Sequence, residues 1–156
     1  MLKVNKLTDY AVVVLCDLLR GDRLRSAADL SQSSGVPLPT VSKILKQLAR
    51  TGILQSARGV NGGYGFGRPP AEISMAEVIE ALEGPIAVTG CVEDSGESCE
   101  FIHQCPMSGH WNAVNVAIRQ SLDGVRLIEM LPEARFMDPD DLNRVIAERH
   151  AAAMQA

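Results

Sequence analysis

Residues 36–66 read VPLPTVSKILKQLARTGILQSARGVNGGYGF, and the fold is decided within them. After Val36-Pro37, a helix starts near Pro39, where a proline is tolerated in the first turn, and runs to about Thr51. Val41, Ile44, Leu45 and Leu48 recur at three- and four-residue steps and form its inward stripe. Ile53–Ser56 reads as a short strand. Asn61-Gly62, ahead of Tyr64, signals a hairpin because both residues accept the positive φ of a tight turn. Upstream, Ser26-x-x-Asp29 is a capping box that opens a short helix stopped at Gly35. Two helices joined by a short Gly-containing turn make a helix-turn-helix. A glycine-rich hairpin directly behind the second helix is the wing of a winged helix.

In such a motif the second helix lies in the major groove and presents its N-terminal residues to base edges. The polar face available for this is Thr40, Ser42, Lys43 and Lys46. Arg58 sits at the base of the hairpin whose turn contains Gly59, Asn61, Gly62 and Gly63. An arginine there can enter the narrow, electronegative minor groove. Charge supports a polyanion partner once the chain is divided. Its formal net charge is −4, yet residues 1–68 carry ten Lys/Arg against four Asp/Glu, and residues 69–156 carry five against fifteen. A basic half joined to an acidic half points to a polyanion-binding module attached to something else, and the helix-turn-helix makes double-stranded DNA the expected polyanion.

The remaining chain supplies scaffold and assembly. Thr8 is expected to cap a first helix over about residues 9–20, with Val12, Leu15, Cys16 and Leu19 buried. Ser74-x-x-Glu77 opens another helix, with Val78, Ile79 and Leu82 inward, closed by Gly84-Pro85. Trp111, Val114, Ile118, Leu122, Val125 and Ile128 recur at helical spacing over Gly109–Leu131, which predicts a long helix with one apolar stripe. A small domain cannot cover that stripe alone, so it reads as a homodimer interface. A polar last helix is expected over 138–150. The fold class is therefore mainly α: a winged helix-turn-helix with a two-stranded β wing plus a long dimerisation helix. The expected layout is a winged-helix domain over 1–84, a cysteine-rich loop over 85–108, the dimerisation helix over 109–131, and a C-terminal helix and tail over 132–156. No apolar run is long enough to span a membrane, and no signal-peptide pattern is present, so a cytoplasmic location is expected. With 46% hydrophobic but only 4% aromatic residues, the core must be aliphatic.

Three of the four cysteines fall in CVEDSGESCEFIHQC, residues 91–105, spaced Cys91-x7-Cys99-x5-Cys105. Thiolates crowded on an acidic, aperiodic loop suit a soft metal centre. A zinc site using Cys91, Cys99, Cys105 and His110 is an alternative, although these gaps are wider than the short pairs of structural zinc sites. A thiol–disulfide switch is another. An iron–sulfur electron carrier or enzyme is a different class. Against it, no nucleotide-cradling loop or nucleophile–base constellation is found, and no small-molecule substrate is implied.

Taken together, Leu7-Thr8-Asp9-Tyr10-Ala11, Pro39-Thr40-Val41-Ser42-Lys43-Ile44-Leu45, Arg58-Gly59-Val60-Asn61-Gly62-Gly63-Tyr64, Ile73–Ile79, Glu83-Gly84-Pro85-Ile86 and the three cysteines resemble the Rrf2 family of winged-helix transcriptional regulators, with branches typified by IscR, NsrR and RirA. The Gly84–Ala87 run before Cys91, with Cys105-Pro106, looks most like the branch that regulates SUF-type iron–sulfur assembly operons. The resemblance implies a homodimeric transcription factor and repressor. It implies an iron–sulfur cluster, 4Fe–4S in preference to 2Fe–2S, held by Cys91, Cys99 and Cys105, whose loss, oxidation or nitrosylation changes DNA affinity. For the fourth ligand, the position used by the histidine-ligated branch is Ser108 here. Asp9, acting in trans from the partner's first helix, is preferred over His110 and His103.

Overall fold

The first helix does not begin where Thr8 suggested. In the computed structural model, which describes residues 3–21, 23–59, 62–93, 95–96, 99–131 and Arg144, α1 spans Lys6–Leu19, and its cap is Asn5, whose side chain accepts from the Thr8 amide. Thr8 is fully buried one turn in. Its hydroxyl points sideways and donates to Glu83 Oε1 at 2.6 Å, an oxygen that also accepts from the Asn5 amide at 3.1 Å. The buried stripe of α1 is Ala11, Val14, Leu15 and Leu18, with Cys16 beside it and Val12 and Leu19 at its margin.

α2 (Ala27–Ser34) begins at the expected capping box and ends on Gly35, at φ 73°. α3 (Leu38–Arg50) follows, and Val41, Ile44, Leu45 and Leu48 are each 0% exposed. β1 (Leu54–Ala57) and β2 (Gly63–Phe66) pair antiparallel, with Leu54 opposite Phe66 and Ala57 opposite Gly63. A third segment joins the outer edge of this ribbon. Arg25 donates its amide to the Tyr64 carbonyl at 3.0 Å and accepts from the Tyr64 amide at 2.8 Å. α4 (Met75–Glu83) starts at the Ser74–Glu77 capping box and stops at Gly84, at φ 88°. One core joins α1 through α4 and β1, and it is aliphatic, as the composition required.

The helix expected over 109–131 is shorter. α5 spans Asn112–Asp123, and the chain turns at Gly124. Val125 and Leu127 then pair back on the start of α4: Met75 donates to the Val125 carbonyl at 2.9 Å, and Leu127 donates to the Ile73 carbonyl at 2.9 Å. Leu127, Ile128 and Leu131 are buried around a 3-10 turn over Leu127–Met130. Val125 and Ile128 matched a helical period by position, but they pack into the winged-helix core of their own chain. The polar helix expected over 138–150 lies, Arg144 excepted, outside the described residues. Among the described residues no helix is long and apolar enough to cross a membrane.

Two consequences are measurable. Thr8→Val keeps the shape but removes the buried donor to Glu83, and should lower the unfolding free energy in urea titration by about 1–2 kcal/mol. Partial burial alone would raise the Glu77 carboxyl, but the Ser74 amide, 2.9 Å from Oε2, and the Arg68 guanidinium outweigh it and hold the carboxyl below its usual range. A depressed folded-state value stabilises the fold above the unfolded value and is lost as pH falls through the folded one. Stability should therefore decline below a pH of about 4, and Glu77→Gln should flatten that decline.

Candidate nucleic-acid interface and thiol loop

Burial of four residues on one side of α3 leaves the opposite side to solvent. Lys43 and Lys46 are exposed there, while Thr40 and Ser42 are half-buried at its N-terminal end. Arg58 and Gly59 are exposed just beyond β1, and Gly59 has φ 119°. Among the described residues none of these three cations is engaged in an ion pair. Arg25, Arg68 and Arg119, by contrast, are held by Asp17, Glu77 and Glu80. Asn61, together with Val60, lies outside the described residues. The glycines of the hairpin have a packing reason to be glycine. A Cβ on Gly62 would sit 2.5 Å from the Ala57 carbonyl oxygen, and one on Gly63 would sit 2.7 Å from the Arg25 carbonyl. These two residues let the wing close and dock, and Arg58 carries its charge.

The three loop cysteines lie between α4 and α5, each half-buried and none in a disulfide. The loop is a succession of local turns. The Ile102 amide donates to the Cys99 carbonyl at 3.2 Å, the Cys105 amide to the Phe101 carbonyl at 2.8 Å, and the Ser108 amide to the Cys105 carbonyl at 3.1 Å. Cys91 Sγ lies 3.1 Å from the Thr89 hydroxyl. Among the described residues no group of three or more His, Cys, Asp or Glu side chains is gathered as a metal site. The donor chemistry of Cys91, Cys99 and Cys105 fits a soft metal, but the expected ligand set is not brought together in this chain. Physically, Val92 is the one buried apolar residue among those described in the loop, so packing supplies little to draw the thiols together. His103 and His110 are exposed, with His110 Nδ1 3.4 Å from the Ser108 carbonyl. Asp9 is exposed in the first turn of α1.

α5 buries little of its surface within the chain. Trp111 and Val114 are each 43% exposed, and Ile118 and Leu122 are half-buried. These four remain available to a second chain, whereas Ile128 does not. Beside them a groove of about 840 Å³ runs between α5, the end of α4 and the N-terminal segment, lined by Val4, Ile79, Pro85, Val114, Ile118 and Leu122.

A helix-turn-helix with outward-facing lysines and an arginine-bearing wing defines a winged-helix DNA-binding protein. Residues 4–133 match the Rrf2 family, described as an iron-dependent transcriptional regulator, and the chain belongs to that family. It is 27% identical over 148 residues to the HTH-type transcriptional regulator IscR of Aliivibrio salmonicida, covering 94% of this chain and 87% of that one. It is 29% identical over 134 residues to IscR of Xenorhabdus nematophila, covering 85% and 80%. Among solved structures it is similar to CymR, the global cysteine regulator of B. subtilis, with TM-score 0.65 and 25% identity over 88% of this chain and 100% of that one. T. potens IscR is comparable, with TM-score 0.62 and 26% identity over 88% and 93%. These relatives are transcriptional regulators, not enzymes.

Sequence reasoning missed how the thiol loop is attached. Asn115 is the one buried residue of α5, and its side chain donates to the Ile86 carbonyl at 2.9 Å and accepts from the Val88 amide at 3.0 Å. One turn earlier, Asn112 accepts from the Glu93 amide at 3.2 Å and donates to the Glu93 carboxylate at 3.1 Å. The two asparagines thus clamp both flanks of Cys91. The available signal was an asparagine one residue from Val114 on an otherwise apolar stripe. Asn115→Leu strands a backbone donor and an acceptor, so the 86–93 segment should loosen. Alkylation of metal-free protein, followed by peptide mass spectrometry, should show Cys91 reacting several-fold faster relative to Cys99 and Cys105. An unchanged ratio would mean the segment is held by something else.

Proposed function

We propose that this protein is a dimeric repressor that senses iron, iron–sulfur status, redox state or nitric oxide and controls iron–sulfur assembly or iron-related genes. The observation that carries this reading is three undisulfided, half-buried thiols on one loop, placed between two helices of a winged-helix chain that matches an iron-dependent regulator family. Cys91, Cys99 and Cys105 would hold an iron–sulfur cluster, with Asp9 of the opposite protomer as fourth ligand and His110 or His103 as alternatives. A bound cluster supplies a group that iron scarcity, oxygen or nitric oxide alters, and an oxygen ligand leaves it one labile position. The chain's own part is to hold the thiols and pass on the change. Asn112 and Asn115 tie the Cys91 flank to α5, Arg119 of α5 pairs with Glu80 of α4, and Glu83 of α4 is bonded to the start of α1. Thr40, Ser42, Lys43 and Lys46 would meet the major groove, and Arg58 the minor groove. The exposed stripe of Trp111, Val114, Ile118 and Leu122 supports dimerisation through α5.

One observation favours a second reading: the chain resembles a global cysteine regulator in structure, and a thiol–disulfide switch within the same loop fits that likeness. Absorption and native mass spectra of protein purified without oxygen decide between them. A broad band near 400 nm (roughly) with added mass of iron and sulfide per chain is expected. Protein that stays colourless and metal-free after anaerobic reconstitution would reject the cluster and leave the thiols as sensor. A single zinc per chain would move the switch elsewhere.

A further inference from the structure

The wing is a two-stranded ribbon, and a ribbon of two strands is marginally stable on its own. Its inner strand continues from α3 through Gly52, but its outer strand is held by Arg25, through the two backbone hydrogen bonds with Tyr64. Gly63 permits that approach, as does Gly65, where a Cβ would lie 2.7 Å from Leu24 Cδ2. The Arg25 side chain then runs away from the wing and into the helices. Nη1 donates to the Asp17 carboxylate at 3.1 Å and to the Asp17 carbonyl at 3.2 Å. Nη2 donates to the Ser33 hydroxyl and to the Asp29 carbonyl at 3.4 Å, and Ser33 in turn donates to Asp17. The Arg25 and Asp17 side chains are only 18% and 16% exposed. One residue therefore joins α1, α2 and the wing. Its guanidinium is paired with a carboxylate and both terminal nitrogens are bonded to protein acceptors, so it is committed to the fold and not to a phosphate.

We propose that Arg25 is a positioning residue for DNA reading: it sets the wing against the recognition helix, so that Arg58 reaches the minor groove while α3 occupies the major groove. The two helices that the guanidinium grips pack against each other and against α3, so wing and recognition helix share one frame. Loss of the grip lets the outer strand swing while α3 stays in place. Affinity then falls through the wing contact alone.

This rests on Arg58 contacting DNA, as proposed above, and a double-mutant cycle separates the two ideas. The probe is the duplex that the wild-type full chain selects from a random-sequence pool, with binding read by fluorescence anisotropy. Arg25→Ala should weaken binding by about tenfold, and Arg25→Ala combined with Arg58→Ala should bind no more weakly than the weaker single variant. Additive losses would overturn the proposal, as would unchanged affinity for Arg25→Ala where Arg58→Ala binds weakly. If Arg58→Ala alone binds like wild type, the wing contact itself fails and Arg25 has nothing to position. Circular dichroism checks the fold. Should Arg25→Ala misfold, Asp17→Asn takes its place in the cycle, with a smaller loss and the same non-additivity.

Discussion

Burial of Val41, Ile44, Leu45 and Leu48 on one side of α3 is the constraint from which the rest follows. All four are 0% exposed, and each such side chain contributes about 1.5–3 kcal/mol on leaving water. Because they occupy one stripe of a 3.6-residue period, their burial turns Lys43 and Lys46 outward without any further interaction. It also fixes where α3 ends, and Gly52, at φ 78°, sends the chain directly into β1. The polar face of α3 and the root of the wing are thus set by the same hydrophobic contact. Arg25 completes the arrangement from the other side by fastening the outer strand to α1 and α2.

α4 plays the corresponding part between the basic and acidic halves of the chain. At its N-terminal end, Ser74 caps the helix while its neighbours Ile73 and Met75 pair with the segment after α5. On its flank Glu80 holds Arg119, and at its C-terminal end Glu83 holds Thr8 and Asn5. A displacement of α5 therefore has polar connections to the first helix of the DNA-binding half. The apolar contacts of α5 with the rest of the chain are sparse by comparison, which is why its outer stripe stays exposed and why, among the described residues, side-chain amides and one ion pair carry so much of its attachment. The thiol loop shows the same shortage of burial in a stronger form, since its turns are closed by local backbone hydrogen bonds.

Much of this was legible in the residues. The capping boxes Ser26–Asp29 and Ser74–Glu77, the stop at Gly35, the stripe of α3 and the hairpin glycines are local signals, satisfied within a turn or two of where they are read. They define α2, α3, α4 and the wing, and they put Lys43, Lys46 and Arg58 on the surface. Thr8 was misread because a hydroxyl near a helix start is suited to capping, yet Asn5 reaches the free amide and Thr8 serves α4 instead. Val125 and Ile128 were misread because spacing alone cannot distinguish a continuing helix from a chain that turns at Gly124 and brings the same side chains back to the core. Asn115 gave no local sign of its two backbone partners, which lie 29 and 27 residues away.

By itself, then, the sequence determined the local elements, the polarity of α3, the donor chemistry of the loop and the separation of charge between its halves, because each depends on residues within a few positions of one another. Only the tertiary structure decided that Arg25 fastens the wing, that Glu83 connects the halves, that Asn115 ties the segment before Cys91 to α5, and which apolar residues of the 109–131 stretch face outward. Those outcomes depend on which distant surfaces meet, and neither periodicity nor composition encodes the partner of a side chain that reaches across the fold.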